Sequence, residues 1–402
     1  MTVTIGERPL VKDRVPTRIG FVFFSSHSEW QGGLNYFRSL FQALDEHGDS
    51  DISVIALVGT RSTSGALGFP DSVTVVRTRS ADRGSLFWLL DRACIRAFGQ
   101  SIFLQRAVRR AGVVVLSHCD PRISPTLPCI AWIPDFQHIR LPSFFKPREL
   151  TARDASFKSL LRLADLVVVS SFAARDDLGN FAPQFLPKAR VLRFCSVRPE
   201  LRTNGVGIDL YRVYGIDRPY FFLPNQFWAH KNHALAVQAL ARLRKRRPNA
   251  LIVCSGSLSD YRNPNYIESL HGLIVNLRQE ESFRILGTIP HEHVARLMLQ
   301  SVAVINPSLF EGWSTTVEEA KSLGVPLLLS DISVHREQCE HGEALFFSVH
   351  DSIGLAHSMN QVLSGRWPSP NPNRVETARN SYARQRRAFA LNYLRIVNEI
   401  TP

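Results

Sequence analysis

Two glutamates, Glu311 and Glu319, lie eight positions apart in a segment with the pattern of a strand, a loop and a helix. The helix is expected to stop near Gly324 and Pro326, which are typical termination signals. If all eight steps were helical, the two carboxylates would be about 12 Å apart along the axis. That gap is of the order of a sugar joined through a diphosphate to a ribose. One carboxylate would then accept hydrogen bonds from sugar hydroxyls and the other from ribose hydroxyls, with the amides between them facing the phosphates.

The glutamates near the start of this helix also have a structural interpretation. Thr315 and Glu318 match the S/T-x-x-E capping box, in which the glutamate bonds back to the helix terminus. Thr316 and Glu319 match it equally well. Glu318 is therefore expected to be structural, and a helix cap is the alternative explanation of Glu319. Glu311 precedes the helix by several residues and is not explained in this way.

A lysine, Lys231, follows the predicted strand PYFFLPN at the N-terminal edge of a helix expected to begin near Asn232 or His233. The position is unfavourable by itself, because the helix dipole already places partial positive charge there. A bound anion reverses that balance, since helix N-termini and lysine both attract phosphate. A solvated lysine at a loop end is the alternative. The location after a strand of a doubly wound sheet favours the anion-binding interpretation.

Two loops in the first half of the chain carry further candidates. Gly32 and Gly33 follow the first predicted strand, where they would let a ligand approach the backbone N–H groups. A simple turn explains them as well. Asp135 and His138 lie in WIPDFQHIRLPSFF after a later strand, where a carboxylate and an imidazole suit acid–base or substrate-binding roles. Ordinary loop residues that hold backbone N–H groups are the alternative.

Short apolar runs alternate with amphipathic stretches along most of the chain, which is the βαβα pattern. Their β-branched residues and their Gly, Pro and Ser borders favour buried parallel strands. The expected strands are residues 18–26, 52–59, 72–78, 113–119, 129–135 and 166–171, and then 219–225, 250–257, 282–288, 302–308 and 325–331. Residues 34–44 have helical spacing of Leu and Phe. The pattern predicts an α/β protein with two Rossmann-like doubly wound domains facing across a cleft.

Changes in composition give the domain boundaries. Residues 197–219 are rich in Gly, Pro and polar residues and form the predicted linker, and a Pro-rich stretch at 364–373 precedes a last basic helix. The predicted units are residues 1–198, residues 217–373 and residues 374–402. An apolar stripe between Phe389 and Val397 predicts that the last helix packs back across the cleft against the first domain.

The charge of the 402-residue chain narrows the class of partner. Its net charge is +13, carried mostly by arginine and concentrated in residues 91–110 and 374–400. Such surfaces suit nucleotides, anionic lipids or nucleic acid, although solvated helix faces explain them too. No zinc-finger or RNP-like motif supports nucleic acid. No apolar run reaches the roughly 18 residues of a membrane span, and the polar N-terminus lacks the core of a signal peptide, so a cytoplasmic protein is expected.

The arrangement of these motifs resembles the retaining glycosyltransferases of the GT-B fold in family 4, the glycosyl transferases group 1. Their hallmark is E-x7-E followed by A-x-x-x-G-x-P; this chain has PSLFEGWSTTVEEA, with Trp313 and Ser314 where Phe and Gly are usual. LPNQFWAHKNHALAVQAL resembles the lysine loop of the family, FRILGTIPHEHVARLM its nucleobase-contacting segment, and QGGLNYFRSL its glycine loop. IPDFQHIRLPSFF resembles its H-D-x6-P segment.

The resemblance implies a role for each matching residue. It assigns Glu311 to the donor sugar, Glu319 to the ribose and Lys231 to the diphosphate. The expected catalytic residues are Glu311, Lys231 and Asp135; the expected donor-binding residues are Glu319, Gln226, Gly287, Ile289, Gly312, Trp313, Ser314 and Thr315; and Gly32, Gly33 and His138 would serve phosphate or acceptor.

Two departures from the family pattern change the expected contacts. Gln226 stands where many members have an arginine, so one phosphate charge must come from elsewhere. Pro134 stands where a histidine usually precedes the loop aspartate, so Asp135 or His138 is expected to contact the acceptor.

The function implied is transfer of a sugar from a nucleotide diphosphate donor to a glycan or lipid-linked acceptor with retention, in polysaccharide or lipopolysaccharide biosynthesis. No cofactor or metal is expected: Asp49, Ser50 and Asp51 match the D-x-D of metal-dependent transferases, but they occupy a predicted turn. The scattered cysteines, without a C-x-x-C pair, suggest neither a disulfide framework nor a zinc site. A non-catalytic nucleotide-sugar or nucleic-acid binding protein and a nucleotide-sugar epimerase are the alternatives. Salt-sensitive association with the inner face of an anionic membrane through residues 91–110 is also expected.

Overall fold

The structure is a computed structural model that describes residues 16–24, 31–48, 51–62, 67–199, 209–339, 342–367 and 372–401. Within these ranges the strands form two parallel sheets, one of seven strands and one of six. The first sheet contains β1 (Thr17–Phe23), β2 (Ile52–Val58), β3 (Thr74–Arg77), β4 (Val115–Ser117), β5 (Cys129–Trp132), β6 (Leu166–Val169) and β7 (Ala189–Val191). The second contains β8 (Phe221–Leu223), β9 (Ile252–Cys254), β10 (Phe283–Ile285), β11 (Ala303–Asn306), β12 (Leu327–Ser330) and β13 (Ala344–Phe347).

Helices connect the strands of both sheets. In chain order they are α1 (Gln31–His47), α2 (Leu86–Phe98), α3 (Phe103–Arg110), α4 (Gln137–Arg140), α5 (Pro147–Leu163), α6 (Phe172–Phe181), α7 (Leu210–Tyr214), α8 (His233–Leu243), α9 (Tyr266–Asn276), α10 (His291–Gln300), α11 (Thr315–Leu323), α12 (Ser333–Gln338), α13 (Ser352–Leu363) and α14 (Pro372–Asn398).

The strand orders, 3-2-1-4-5-6-7 and 10-9-8-11-12-13, reverse direction next to β1 and β8, as in doubly wound sheets. The central strands are short, apolar and almost fully buried, which explains why continuous rather than alternating apolar runs revealed them. The predicted α/β GT-B architecture is confirmed, and each predicted strand lies where it was expected. The edge strands β7 and β13 were not predicted, whereas the edge strands β3 and β10 were.

Three local expectations differ from the structure. The helix α1 begins at Gln31, so Gly32 and Gly33 belong to its first turn rather than to a preceding loop. The basic segment 91–110 is broken into α2 and α3, because Gly99 ends α2 in the left-handed region at φ 72°. The predicted linker contains α7, capped by Asp209, while its residues 200–208 lie outside the described ranges.

The last helix, α14, joins the two halves of the molecule. Near its start, Val375 and Ala378 lie against Gly324 at the end of α11. Near its end, Phe389 and Tyr393 are buried in the core formed by β1, α1 and the strands beside them. The helix therefore completes the first domain although the second domain separates them in sequence.

A carboxylate from the second sheet's side also holds the two halves together. Glu337 in α12 accepts hydrogen bonds from the Phe172 and Ala173 N–H groups at 2.9 and 3.3 Å, at the N-terminus of α6. It also pairs with Arg193 at 2.7 Å. An anion at a helix N-terminus is favourable, so this contact stabilises the closed arrangement. Among the residues described, no helix is both long and apolar enough to cross a bilayer.

Candidate functional site

A cavity of about 640 Å³ lies between the two halves of the chain. Its walls come from segments that follow β1, β5, β6 and β7 on one side and β8, β9 and β11 on the other. Parallel strands direct the residues after them to one edge of the sheet, so the facing edges of two sheets enclose a ligand-sized space. Ten of the predicted site residues line it: Gly32, Gly33, Asp135, Gln226, Lys231, Glu311, Gly312, Trp313, Ser314 and Thr315.

Four predicted residues do not line this cavity. Gly287 and Ile289 lie in the loop between β10 and α10, and both are half-buried. Glu319, in α11, lies outside the cavity wall. Its Oε1 is 3.9 Å from the Nε2 of His291, at the start of α10. These three residues therefore form a separate group beside the cavity, on the side of the second sheet. The fourth, His138, lies elsewhere.

A buried ion pair lies at the cavity wall. The Lys231 Nζ contacts Glu311 Oε1 at 2.7 Å, and the two side chains are 17% and 8% exposed. Burial by itself would raise the pKa of Glu311, but the Lys231 ammonium outweighs it and lowers that pKa to about 2. The carboxylate is therefore ionised at any physiological pH. The cavity wall therefore places a cation beside an anion, and a ligand in the cavity could contact either of them.

Two further buried residues position Glu311. Ser308 donates to Glu311 Oε1 at 2.7 Å, and Asn306 Nδ2 lies 3.5 Å from the same oxygen. Asn306 also donates to Ser314 Oγ at 2.9 Å, which connects the carboxylate to the start of α11. Sequence reasoning did not identify Asn306 or Ser308. Their position at the end of β11, in the segment NPS, was the available signal.

The capping interpretation of the glutamates in α11 is wrong. The N-cap is Ser314, whose Oγ accepts from Val317 N at 3.4 Å, so Thr315 and Thr316 already lie inside the helix. Neither predicted capping box forms. Glu318 is structural for another reason: its buried carboxylate accepts from Gln338 Nε2 at 2.8 Å.

The environment of Glu319 is consequently not that of a cap. Its side chain is 13% exposed, and its carboxylate lies 3.9 Å from the ring of His291, whose pKa it raises. Nearby, Gly287 has φ 68° and open space where a side chain would lie, and its carbonyl accepts from Gly256 N at 2.9 Å. The backbone here is thus accessible to a flat ligand group beside a carboxylate.

Lys231 lies at the helix terminus where it was predicted. It closes a short 3₁₀ turn, and Asn232, at φ 57°, leads into α8 at His233. The N-termini of α8 and α11 both approach the cavity, with Thr315 and Thr316 in its wall. Two helix N-termini and an ammonium give this wall a positive potential.

The loops of the two domains meet at Gly312. A Cβ atom at this position would lie 2.4 Å from the Pro134 carbonyl oxygen and 2.8 Å from Asp135 Cβ. Only glycine permits this approach. Asp135 accepts a hydrogen bond from Gln137 N at 2.9 Å and lines the cavity beside the second domain's loop.

The structure places His138 outside the cavity, contrary to expectation. Its ring is 2% exposed among Phe136, Phe157 and neighbouring aromatic rings, and its Nε2 contacts Asp154 Oδ1 at 3.1 Å. Burial lowers the pKa of His138, so it is neutral near pH 7. Of the two candidates, Asp135 is the residue that faces the cavity.

A chain of buried polar groups connects the cavity to α14. Tyr36, in α1, lines the cavity and stacks on Trp132 with a centroid distance of 4.4 Å. Its hydroxyl lies 2.7 Å from His118 Nε2, and His118 Nδ1 lies 2.8 Å from Ser117 Oγ. Tyr393 donates to that same Ser117 hydroxyl at 2.9 Å. The floor of the cavity is therefore fixed by the last helix.

Gln226 also lines the cavity, and an arginine on the neighbouring loop bridges the domains. Arg262 donates to Gln137 Oε1 at 2.8 Å and lies over the rings of Phe145 and Trp228 at 4.9 Å. It acts as a contact between the domains and does not line the cavity wall.

The D-x-D motif lies directly before β2 in the chain. Asp49 and Ser50 lie outside the described residues, and Asp51 precedes β2. Among the described residues, no group of three or more His, Cys, Asp and Glu side chains is arranged to hold a metal ion.

Comparisons with known proteins identify the second half of the chain. Residues 213–384 match the family model described as Glycosyl transferases group 1. A segment of 146 residues is 26% identical to the O-antigen chain mannosyltransferase RfbU of Salmonella typhimurium; it covers 36% of this chain and 38% of that protein.

The fold is shared along nearly the whole chain. Sucrose-phosphate synthase from Thermosynechococcus elongatus is 16% identical with a TM-score of 0.68, over 95% of this chain and 98% of that one. The Anabaena protein HepE, solved in complex with UDP and glucose, has the same identity and TM-score over 95% and 100% of the two chains. At this identity the structural matches establish the fold, and the family match covers the half that carries Lys231, Glu311 and Glu319. Residues 213–384 therefore match the glycosyl transferases group 1, and the chain has the GT-B fold.

Proposed function

We propose that the protein transfers a sugar from a nucleoside diphosphate donor to a glycan or lipid-linked acceptor, with retention of the anomeric configuration and without a metal ion. The observation that carries the proposal is the Lys231–Glu311 pair at 2.7 Å, in a cavity lined by both domains. The pair supplies a cation for a leaving diphosphate and an anion for sugar hydroxyls at adjacent points. The family match over residues 213–384 and the fold support it.

The donor is proposed to lie across the second sheet. The ribose hydroxyls bond to Glu319, and the base lies against the backbone near Gly287 and Ile289. The diphosphate faces Lys231 and the N-terminus of α11, and the sugar reaches Glu311. This order follows the positions of the two groups of residues, one beside the cavity and one within it. HepE has the same fold and was solved in complex with UDP and glucose, which is consistent with such a donor.

The reaction proposed needs little covalent chemistry from the protein. The bond between the anomeric carbon and the diphosphate oxygen breaks, and a bond to an acceptor oxygen forms on the same face. The proton of the acceptor hydroxyl passes to the departing phosphate. Lys231 and the helix N-termini stabilise the charge that develops on the leaving group, while Asp135 orients the acceptor.

A cell-surface polysaccharide or lipopolysaccharide is the proposed product class. It is suggested by the O-antigen mannosyltransferase to which part of the chain is similar. The acceptors of such pathways are commonly lipid-linked, so we propose that the protein works in the cytoplasm at the inner face of the cell membrane.

A donor screen tests the proposal. The protein is incubated with UDP-, GDP-, ADP- and dTDP-sugars, with and without lipid-linked acceptors, and release of nucleoside diphosphate is measured. We expect one donor to be consumed, with acceptor-dependent release that Glu311→Ala and Lys231→Ala abolish. Glu268→Ala, an exposed glutamate on α9, is the matched control and should leave release unchanged.

The products distinguish the alternatives. Donor sugars that interconvert without release would indicate an epimerase, and binding without turnover a non-catalytic protein; either result overturns transfer. An NMR spectrum of the product that shows inversion at the anomeric carbon would overturn retention alone.

A further inference from the structure

The helix α2 presents an apolar stripe to solvent. Leu86, Leu89 and Leu90 are 67%, 52% and 40% exposed, at spacings of three and four residues. The exposed Ala93 and Ala97 continue the stripe along the same helical face. Two more apolar side chains are exposed where α2 ends: Phe98, its last residue, at 69%, and Ile102 beyond it at 45%. Apolar residues concentrated on the outer face of a helix are typical of an interaction surface.

The opposite face of α2 anchors the helix to the first domain. Phe87 packs edge-on against Phe103, with ring centroids 5.5 Å apart. Asp91 is 4% exposed and accepts hydrogen bonds from Ser101 Oγ and from the Ile102 N–H at 2.7 and 2.9 Å. The anchoring contacts come from this inner face. Within the described residues, the outer leucines remain exposed, so folding of this region does not depend on them.

The charge around the stripe has one sign. Residues 83–112 contain one acidic residue, Asp91, whose carboxylate is occupied by the start of α3. The same residues include six arginines: Arg83, Arg92, Arg96, Arg106, Arg109 and Arg110. All six are exposed. Residues 83–112 are therefore cationic and apolar together, and their one carboxylate is buried.

We propose that the α2–α3 surface docks on an anionic lipid bilayer, with the leucine stripe entering the headgroup region and the arginines facing lipid phosphates. An exposed apolar face flanked by cations fits this partner, because burial and attraction to anionic headgroups act together. A protein partner would need carboxylates matched to particular arginines, whereas a bilayer needs only their common sign.

Docking through α2 and α3 determines which side of the cleft faces the bilayer. The segment leading to α2 leaves β3 at the carboxyl edge of the first sheet, the same edge from which the cavity loops after β1 and β5 leave. Docking therefore brings the first-domain side of the cleft towards the bilayer. The docking surface does not depend on the proposed transfer, although it would present a lipid-linked acceptor to it.

Vesicle sedimentation tests the proposal on the full chain. The vesicles contain phosphatidylglycerol with phosphatidylethanolamine, or phosphatidylcholine alone. One variant combines Leu86→Ser, Leu89→Ser and Leu90→Ser, and a second combines Arg96→Gln, Arg109→Gln and Arg110→Gln. Matched controls change equally exposed residues of the second domain and the last helix: Val213→Ser, Val275→Ser and Ile353→Ser in one, and Lys245→Gln, Arg246→Gln and Arg379→Gln in the other.

We expect the parent and both controls to bind the anionic vesicles, more weakly as salt rises, and to leave phosphatidylcholine unbound. The leucine variant should lose affinity by about tenfold or more. The arginine variant should lose about tenfold or more at low salt and most of its salt dependence. Melting curves equal to the parent's confirm that each variant is folded.

Three results would overturn the proposal. The first is an absence of binding to anionic vesicles at low salt. The second is equal loss of binding in the variants and their controls. The third is a change of oligomeric state in the leucine variant, measured by sedimentation velocity, with vesicle binding intact; the stripe would then join two copies of the chain. Vesicle binding needs no donor, so failure here is separate from failure of the transfer proposal.

Discussion

At the scale of single residues, Glu318 and Glu319 are neighbours with different environments. Glu318 is buried against Gln338, whereas Glu319 lies near His291, beside the loop that carries Gly287 and Ile289. The difference could not be deduced from spacing, because both glutamates match a capping box that the structure does not form. The effects of replacing each glutamate separately can therefore be compared within one helix.

We expect Glu319→Ala to weaken nucleoside diphosphate binding by about ten- to a hundred-fold, because hydrogen bonds to a charged group contribute about 1.5–3 kcal/mol. The loss should appear mainly in the donor KM, since the ribose contact is alike in ground and transition states. Its melting temperature should remain close to the parent's. Titration calorimetry and a melting curve measure both.

The adjacent Glu318→Ala serves as the control with the reverse outcome. It removes one of the two acceptors of the buried Gln338 amide and leaves the Ser314 carbonyl, so stability should fall by about 1–3 kcal/mol while donor affinity is kept. Unchanged donor affinity in Glu319→Ala would remove Glu319 from the donor site.

The Lys231–Glu311 ion pair predicts that replacing the lysine and replacing the glutamate have different effects on stability and activity. Lys231→Met leaves the buried Glu311 carboxylate without its cation, so the pKa of Glu311 should rise and stability should fall by about 3–5 kcal/mol. Glu311→Gln should lower kcat while nucleoside diphosphate still binds, because the change lies at the sugar end. The double variant should be more stable than Lys231→Met, since no unpaired charge stays buried.

Thermal melting and calorimetry on the three variants test this prediction. A double variant that is no more stable than Lys231→Met would show that the two side chains do not interact in solution.

Residues with an unusual pattern could be predicted from the sequence, whereas the residues that position them could not. Lys231 and Glu311 were predicted because their positions after strands are hard to explain structurally. Asn306 and Ser308, which position Glu311, are ordinary polar residues, and their role depends on side-chain directions within the folded loop. His138 failed as a site residue because a loop after a strand can turn its side chains inward as well as towards the cleft.

At the scale of elements, the loop that carries Glu311 is packed against the loop that carries Asp135. We expect Gly312→Ala to force these loops apart, because its Cβ would lie 2.4 Å from a backbone oxygen. Displacement of reacting groups by about 1 Å can cost about 10²-fold in rate, so transfer should fall while each domain remains folded.

The matched control is Gly272→Ala on α9, where a Cβ meets no atom within 4 Å. It should stabilise the helix by about 0.5–1 kcal/mol and leave transfer unchanged. Equal rates in Gly312→Ala and the parent would mean that the loops do not keep this contact during turnover.

At the same scale, the elements differ in how well the sequence predicts them. Central strands such as β1 and β11 are continuous apolar runs and were located from sequence. Boundaries were less certain: α1 begins three residues before the predicted start because glycines have no side chain to show periodicity. The break between α2 and α3 depends on the backbone conformation of Gly99, which composition alone does not reveal.

At the scale of the whole molecule, three buried histidines make stability dependent on pH. Burial lowers the pKa of His118, His230 and His233 to about 3. The unfolded chain takes up these protons near pH 6.5, so below that pH the unfolded state binds more protons and the free energy of unfolding falls. Glu311, with its pKa lowered to about 2, adds a loss that begins below about pH 4.5.

Denaturant unfolding between pH 8 and pH 4 measures this effect. We expect near-constant stability above pH 7 and a decline below pH 6.5 of up to about 1.4 kcal/mol per pH unit for each histidine. His233→Phe, which keeps a ring stacked on Phe227, should remove the contribution of one histidine and so reduce the slope. A flat profile between pH 7 and pH 5 would contradict the assignment.

The position of α14 has a consequence for how the chain acquires its structure during synthesis. The core of the first domain includes Phe389 and Tyr393, which leave the ribosome after the entire second domain. Domains generally fold as units in the order of synthesis, but here the earlier domain lacks part of its core until α14 has been synthesised. The second domain is thus the first to be able to complete its fold, and the Tyr36 floor of the cavity acquires its final support when the last turns of α14 dock.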